Sequence, residues 1–202
     1  MSAFDTTVRR FTDVANCFKT LTKLSLSLSF SHHTGNSVAS ALSSATNLKS
    51  LFIEGDYEMF YDVLGPVSVF SAILGGCRFT NLRSLLMAKL SSGNIELLEF
   101  LRHSPLLNRL TICEFALKEG LWQEVALSLR AIFQLKRVKF DALIGGISDS
   151  YQLGFGESYS IDPQMVEDFF LRNGDNPFTE ETVKLWNDKT RDEAGNAQEA
   201  TP

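Results

Sequence analysis

Leu82-Arg83-Ser84-Leu85-Leu86-Met87 and Leu107-Asn108-Arg109-Leu110-Thr111-Ile112 are one phrase written twice. It reads as a leucine, two mostly polar residues, an apolar residue, any residue, an apolar residue. The phrase recurs as Leu21-Thr22-Lys23-Leu24-Ser25-Leu26, Leu48-Lys49-Ser50-Leu51-Phe52-Ile53 and Leu135-Lys136-Arg137-Val138-Lys139-Phe140. The five starts, at 21, 48, 82, 107 and 135, are separated by 27, 34, 25 and 28 residues. One such phrase is common in any leucine-rich chain. Five at nearly even steps mark a repeat architecture.

The fourth and sixth positions lie two residues apart, so on a strand they share one face. The segment after each phrase reads as helix. Asn94 is positioned to cap a helix over 95–102, with Ile95, Leu98, Phe100 and Leu101 apolar and Pro105 marking its stop. Trp122, Val125, Ala126, Leu129, Ile132 and Phe133 fall at three- and four-residue steps and form one stripe. Val38, Ala39, Ala41 and Leu42 give a shorter helix. Between the second and third phrases, 57–64 and 67–74 read as two pieces broken at Gly65-Pro66, which accounts for the step of 34. One strand and one helix cannot bury an apolar side alone, but stacked units can. The expected fold is therefore α/β: a leucine-rich-repeat-like solenoid of about five repeats, a curved parallel sheet with outer helices. The strands alternate with Ser, Thr, Lys and Arg. A doubly wound sheet would carry near-continuous apolar strands, so the alternation implies one face open to solvent.

The repeat resembles the irregular leucine-rich-repeat region of fungal F-box-type proteins. The resemblance rests on Asn47-Leu48-Lys49-Ser50-Leu51, Asn81-Leu82-Arg83-Ser84-Leu85, Leu121-Trp122-Gln123-Glu124-Val125 before Leu135-Lys136-Arg137-Val138, and the phrase Leu171-Arg172-Asn173-Gly174-Asp175-Asn176-Pro177-Phe178. It covers about residues 18–178. It implies a substrate-recognition part related to F-box ubiquitin-ligase receptors. Two departures accompany it. Regular repeats carry a ladder asparagine or cysteine nine positions into the phrase; here Ser29, Asp56, Leu90, Phe115 and Leu143 stand there, and looser turns are expected. The F-box, a helical segment that docks a ligase adaptor, has no counterpart in the 20 residues before Leu21. The expectation is a shortened relative, or a chain whose start lies upstream of Met1.

Three sections are expected: the solenoid over 10–145, capping and tail helices over 146–188, and a disordered acidic tail over 189–202. Gly145-Gly146 and Gly154-Phe155-Gly156 mark a flexible stretch. Asp162-Pro163 reads as an N-cap and first helical residue, with Met165, Val166, Phe169 and Phe170 as a stripe that packs over the last repeat and Gly174 as its end. A second short helix is expected from Thr179, with Val183 and Trp186 on one side.

Of 202 residues, 44% are hydrophobic and 21% charged, which excludes a disordered polymer. The net charge of −5 is unevenly placed. Residues 1–140 hold 15 basic and 11 acidic side chains, net +4; residues 141–202 hold 4 basic and 13 acidic, net −9. Lys23, Lys49, Arg83, Arg109, Lys136, Arg137 and Lys139 all occupy polar positions of the phrases. On a stacked sheet they would line up across strands about 5 Å apart. Lys23, Lys49, Arg83, Arg109, Arg137 and Lys139 are accordingly the candidate partner-binding residues. The alternative is that any solvated sheet face carries polar side chains there.

Chemistry is hard to place on this chain. It has no G-x-S-x-G, no Walker loop, no H-E-x-x-H and no EF-hand spacing. His32-His33 lacks a third ligand at metal spacing. His103 suits a helix C-terminus. Cys17, Cys77 and Cys113 form no CxxC and read as buried hydrophobes. There is no signal peptide and no N-x-S/T sequon, and the longest uncharged apolar stretch, 63–77, falls short of the about 20 residues a bilayer needs. A cytoplasmic or nuclear, non-enzymatic protein-interaction module is expected, with no metal and no cofactor. Its partner is a protein, an acidic one if the basic strip is the contact; no nucleic acid and no membrane are expected, and the ligase adaptor is left open by the missing F-box. The runner-up is a stand-alone or truncated leucine-rich-repeat scaffold with no ligase link.

Overall fold

All five phrases become strands of a single parallel sheet, ordered β1-β2-β3-β4-β5 as in the chain. The structure is a computed structural model that describes residues 16–28, 35–55, 69–145, 160–179 and 181–182. The strands are β1 (Lys23–Leu28), β2 (Ser50–Gly55), β3 (Ser84–Gly93), β4 (Arg109–Glu119) and β5 (Arg137–Asp141). The helices are α1 (Gly35–Ser43), α2 (Val69–Leu74), α3 (Asn94–Arg102), α4 (Trp122–Ile132) and α5 (Pro163–Arg172). Position three of every phrase pairs with position three of the next: Lys23 with Ser50, Ser50 with Ser84, Ser84 with Arg109, Arg109 with Arg137. The phrases are thus successive rungs in register.

Register follows from burial. A slip of one residue would turn every leucine to the wrong face. Positions four and six, Leu51/Ile53, Leu85/Met87, Leu110/Ile112 and Val138/Phe140, are buried with the helices' apolar sides in one core. Position one joins them through Leu48, Leu82, Leu107 and Leu135. In the edge rung, Leu21, Leu24 and Leu26 are only partly buried against this core. The helices pack in sequence on that same side, α1 against α2, α2 against α3 and α3 against α4, while α5 lies on β5. The α5 end is fastened by Arg130. Its guanidinium donates to the Asn173 side chain at 2.8 Å and the Gly174 carbonyl at 3.2 Å, and lies 4.6 Å from the Phe169 ring centroid.

A chain of ring contacts runs through the core from Phe79 by way of Phe100, Phe70, Phe115, Trp122 and Phe140 to Phe170 and Phe169, with Phe178 also on Phe140. Most of these pairs are edge-to-face, the arrangement the ring quadrupole favours.

The strands do not stop where the phrase stops. At position eight Lys89 (φ 53°), Glu114 (φ 46°) and Ala142 (φ 48°) all adopt the left-handed conformation. That single residue breaks the in-out alternation. Position nine therefore turns inward: Leu90, Phe115 and Leu143 are buried. The expected departure from a polar ladder is real in these rungs, and its replacement is apolar packing. A different side-chain ladder exists one residue before the phrase. Asn47 donates to the Lys19 carbonyl at 2.8 Å and Asn81 to the Thr46 carbonyl at 3.0 Å, each reaching back one rung.

Several local expectations need correction. The α3 N-cap is Gly93, not Asn94; Glu96 accepts the Gly93 N–H at 3.3 Å, and Asn94 Oδ1 accepts from Ile95 N–H. Ile132 and Met165, read as stripe residues, are 41% and 38% exposed because each lies at the margin of its helix's buried face. Phe133 follows α4 rather than belonging to it, yet is buried. Asp162 caps α5 as expected, accepting the Gln164 N–H at 2.8 Å. The left-handed end residue is Asn173, just before Gly174. The first helical piece at 57–64, His32-His33, the glycine stretch at 146–156, Val183, Trp186 and the tail from 189 lie outside the described residues.

Candidate functional site

Positions three, five and seven point away from the helices, so they define the second face of the sheet. Row three is Lys23, Ser50, Ser84, Arg109, Arg137; row five is Ser25, Phe52, Leu86, Thr111, Lys139; row seven is Ser27, Glu54, Ala88, Cys113, Asp141. Except for the small Ala88, every one of these residues is exposed or half-exposed. Neighbouring residues in a row stand about 4.8 Å apart, the strand spacing of a sheet.

Position two adds a further row along the edge where the strands begin. Its backbone forms a ladder of its own. The N–H of Lys49 donates to the Thr22 carbonyl at 2.8 Å, that of Arg83 to Lys49 at 2.9 Å, that of Asn108 to Arg83 at 3.0 Å and that of Lys136 to Asn108 at 2.7 Å. The backbone beneath the Lys49, Arg83 and Lys136 side chains is thereby fixed.

The structure sorts the sequence candidates into groups. Lys23, Arg109 and Arg137 share row three, where Arg109 and Arg137 are direct partners and Ser50 and Ser84 separate them from Lys23. Lys49 and Arg83 occupy row two together with Lys136. Lys139 stands apart in row five, ion-paired to Asp141 at 2.9 Å. That hydrogen bond and the carboxylate's charge raise the Lys139 pKa above its ordinary value. All six candidates are exposed.

Charge divides the face into two zones. Near the strand ends, Lys89 pairs with Glu54 at 2.6 Å across two rungs, and Lys139 pairs with Asp141. Near the strand starts, Lys23, Lys49, Arg83, Arg109, Lys136 and Arg137 form no ion pair among the described residues, and rows two and three contain no acid. Between the zones lie Phe52 and Leu86, register partners and both half-buried. Sequence reasoning missed this apolar pair. The signal was available, since both stand at position five, which the phrase points away from the helices.

The cysteines also need correction. Only Cys77 is a buried hydrophobe; Cys17 is exposed in the helical turn 16–20, and Cys113 is half-buried in row seven. Burial raises the thiol pKa of both Cys77 and Cys113, which lowers their thiolate fraction at any given pH. With a chromophoric disulfide reagent at pH 8, Cys17 is expected to react first, Cys113 more slowly, and Cys77 only on unfolding. Equal rates for all three thiols in the folded protein would contradict this placement. Among the described residues no cluster of His, Cys, Asp and Glu is arranged to hold a metal ion, and no helix is long and apolar enough to cross a membrane.

Fold and face together define a class: an α/β protein whose one parallel sheet is built from in-register repeated units, with helices on one side. No protein-family model and no curated protein matches the chain. Among solved structures it is similar to leiomodin-1 actin-binding site 2, with 14% sequence identity, 98% of this chain and 99% of that chain covered, and a TM-score of 0.44. At that level the likeness assigns this chain neither a family nor a partner.

Proposed function

We propose that the chain is a non-enzymatic protein-interaction module, a leucine-rich-repeat-type solenoid that presents the open side of a curved parallel sheet to another protein. The observation that supports this reading is the contrast between the two sheet faces. Positions four and six of the last four rungs are buried against the helices, while every residue of rows three, five and seven except Ala88 is exposed or half-exposed. A sheet face held rigid by the ladder and studded with long side chains suits macromolecular contact.

The experiment places a photo-crosslinking amino acid at Ser25 or Thr111 on the open face, and at Leu127 on the outer helical surface, in the full chain in cells. Crosslinks to one defined protein from Ser25 and Thr111, and none from Leu127, are expected. Crosslinks from Leu127 alone would overturn the reading.

The finer version, a substrate-recognition part of an F-box-type ubiquitin ligase in the cytoplasm or nucleus, rests on the repeat resemblance. Co-purification of the ligase adaptor supports it. A stable crosslinked partner without the adaptor supports the scaffold alternative instead.

A further inference from the structure

The two zones of the open face say more than that a protein binds there. We infer that the segment it takes is an acidic polypeptide carrying one bulky apolar side chain. The carboxylates lie along rows two and three, and the apolar side chain sits on Phe52 and Leu86. This rests on the proposed use of the open face and adds the chemistry of the occupant.

The charge pattern carries the first half. Every rung places a cation at position two or three: Lys23, Lys49, Arg83, Arg109, then both Lys136 and Arg137. Where row three is serine, in rungs two and three, row two supplies Lys49 and Arg83. Where row two is uncharged, at Thr22 and Asn108, row three supplies Lys23 and Arg109. Among the described residues the charge therefore continues across the sheet with no ion pair, whereas the cations near the strand ends, Lys89 and Lys139, are each matched to a carboxylate of the protein itself. A row of like charges held together repels itself until an anion arrives.

The second half comes from shape. Ser50 and Ser84 are small and stand in row three directly before Phe52 and Leu86 on the same two rungs. They leave a step in the basic zone through which a side chain reaches the apolar pair. A leucine beside a phenylalanine offers an aliphatic and aromatic seat, not a platform for stacked bases.

The test uses the full chain and three fluorescent probes: a short peptide of glutamates around one tryptophan, the same peptide with glycine in place of tryptophan, and an oligothymidylate. Fluorescence anisotropy is expected to show binding of the tryptophan peptide, about tenfold tighter than the glycine peptide, as a well-seated aromatic anchor gives. Raising salt from about 0.1 M to about 1 M, which shortens the Debye length from about 10 Å to about 3 Å, is expected to weaken it at least about tenfold. Arg83→Ser with Arg109→Ser should weaken both peptides; Phe52→Ser, or Leu86→Ser if the former melts early, should erase only the preference for tryptophan. Equal affinity for the two peptides, no binding of either, or tighter binding of the oligothymidylate overturns the inference. If open-face crosslinks persist while the peptides fail, the interaction reading stands and only the acidic, anchored occupant falls. If the open-face crosslinks are absent, the reading falls first.

Discussion

Replacing Trp122 with alanine is expected to cost about 3–5 kcal/mol of folding stability, the usual range for deleting a fully buried large aromatic. Trp122 is completely buried and sits at the start of α4. Its ring meets Phe115 of β4 at 5.9 Å and Phe140 of β5 at 5.9 Å, both edge-to-face. The indole N–H also donates to the Ile144 carbonyl at 3.4 Å. Alanine removes both ring contacts and leaves a cavity between two rungs where neither strand can move inward without breaking its register. Against a total of about 5–15 kcal/mol for a typical domain, the loss is large. Urea unfolding followed by circular dichroism measures it. Trp122→Phe separates packing from the hydrogen bond, because it keeps a ring and loses the donor. The expected cost is about 1–2 kcal/mol for the bond and the smaller ring. An alanine variant within about 1 kcal/mol of the parent would show that the ring chain contributes little.

A second large effect is expected at Gly55, the position-eight residue of the second rung. A Cβ there would run into the Lys89 backbone carbonyl, with the Leu90 side chain 3.3 Å away. The obstacle is main chain, not the tip of a flexible side chain. Lys89 is itself held in the left-handed conformation that lets Leu90 enter the core. Gly55→Val therefore forces β2 and β3 apart at their ends and strains the Glu54–Lys89 pair. A cost of about 3 kcal/mol, at the upper end for overpacking a tight site, is expected. Thermal unfolding checks it. A Gly55→Val variant as stable as the parent would mean that β3 yields at Lys89 with little cost.

The strands and their order were legible because the phrase carries its own register. Leucine at one and four and an apolar residue at six can be buried together in one sheet only if each rung repeats the pairing of the last. The course beyond position seven was not legible. Lys89, Glu114 and Ala142 share no residue type that announces a left-handed conformation, as glycine or asparagine would. Their conformation comes from tertiary demand, the need to bring Leu90, Phe115 and Leu143 inward. For the site, the cations were legible as a group but not as a pattern. The Lys139–Asp141 pair could have been read from their separation by two residues, which puts both on one strand face. The Glu54–Lys89 pair could not, since it depends on how β3 turns after Ala88. The Arg130 contacts with Asn173, Gly174 and Phe169 join α4 to the end of α5, which at Asn173 is 43 residues further on, with no local sign in either.

The chain of rings has a mechanical consequence. Stacked units ordinarily feel only their neighbours, so a solenoid can fray from either end. Here the rings tie the approach to the third rung, the fourth and fifth rungs, their helices and α5 into a single cooperative block. Among the described residues the strands β1 and β2 give no side chain to it, and Phe52 points the other way. Partial opening should therefore begin at β1 and stop short of β3.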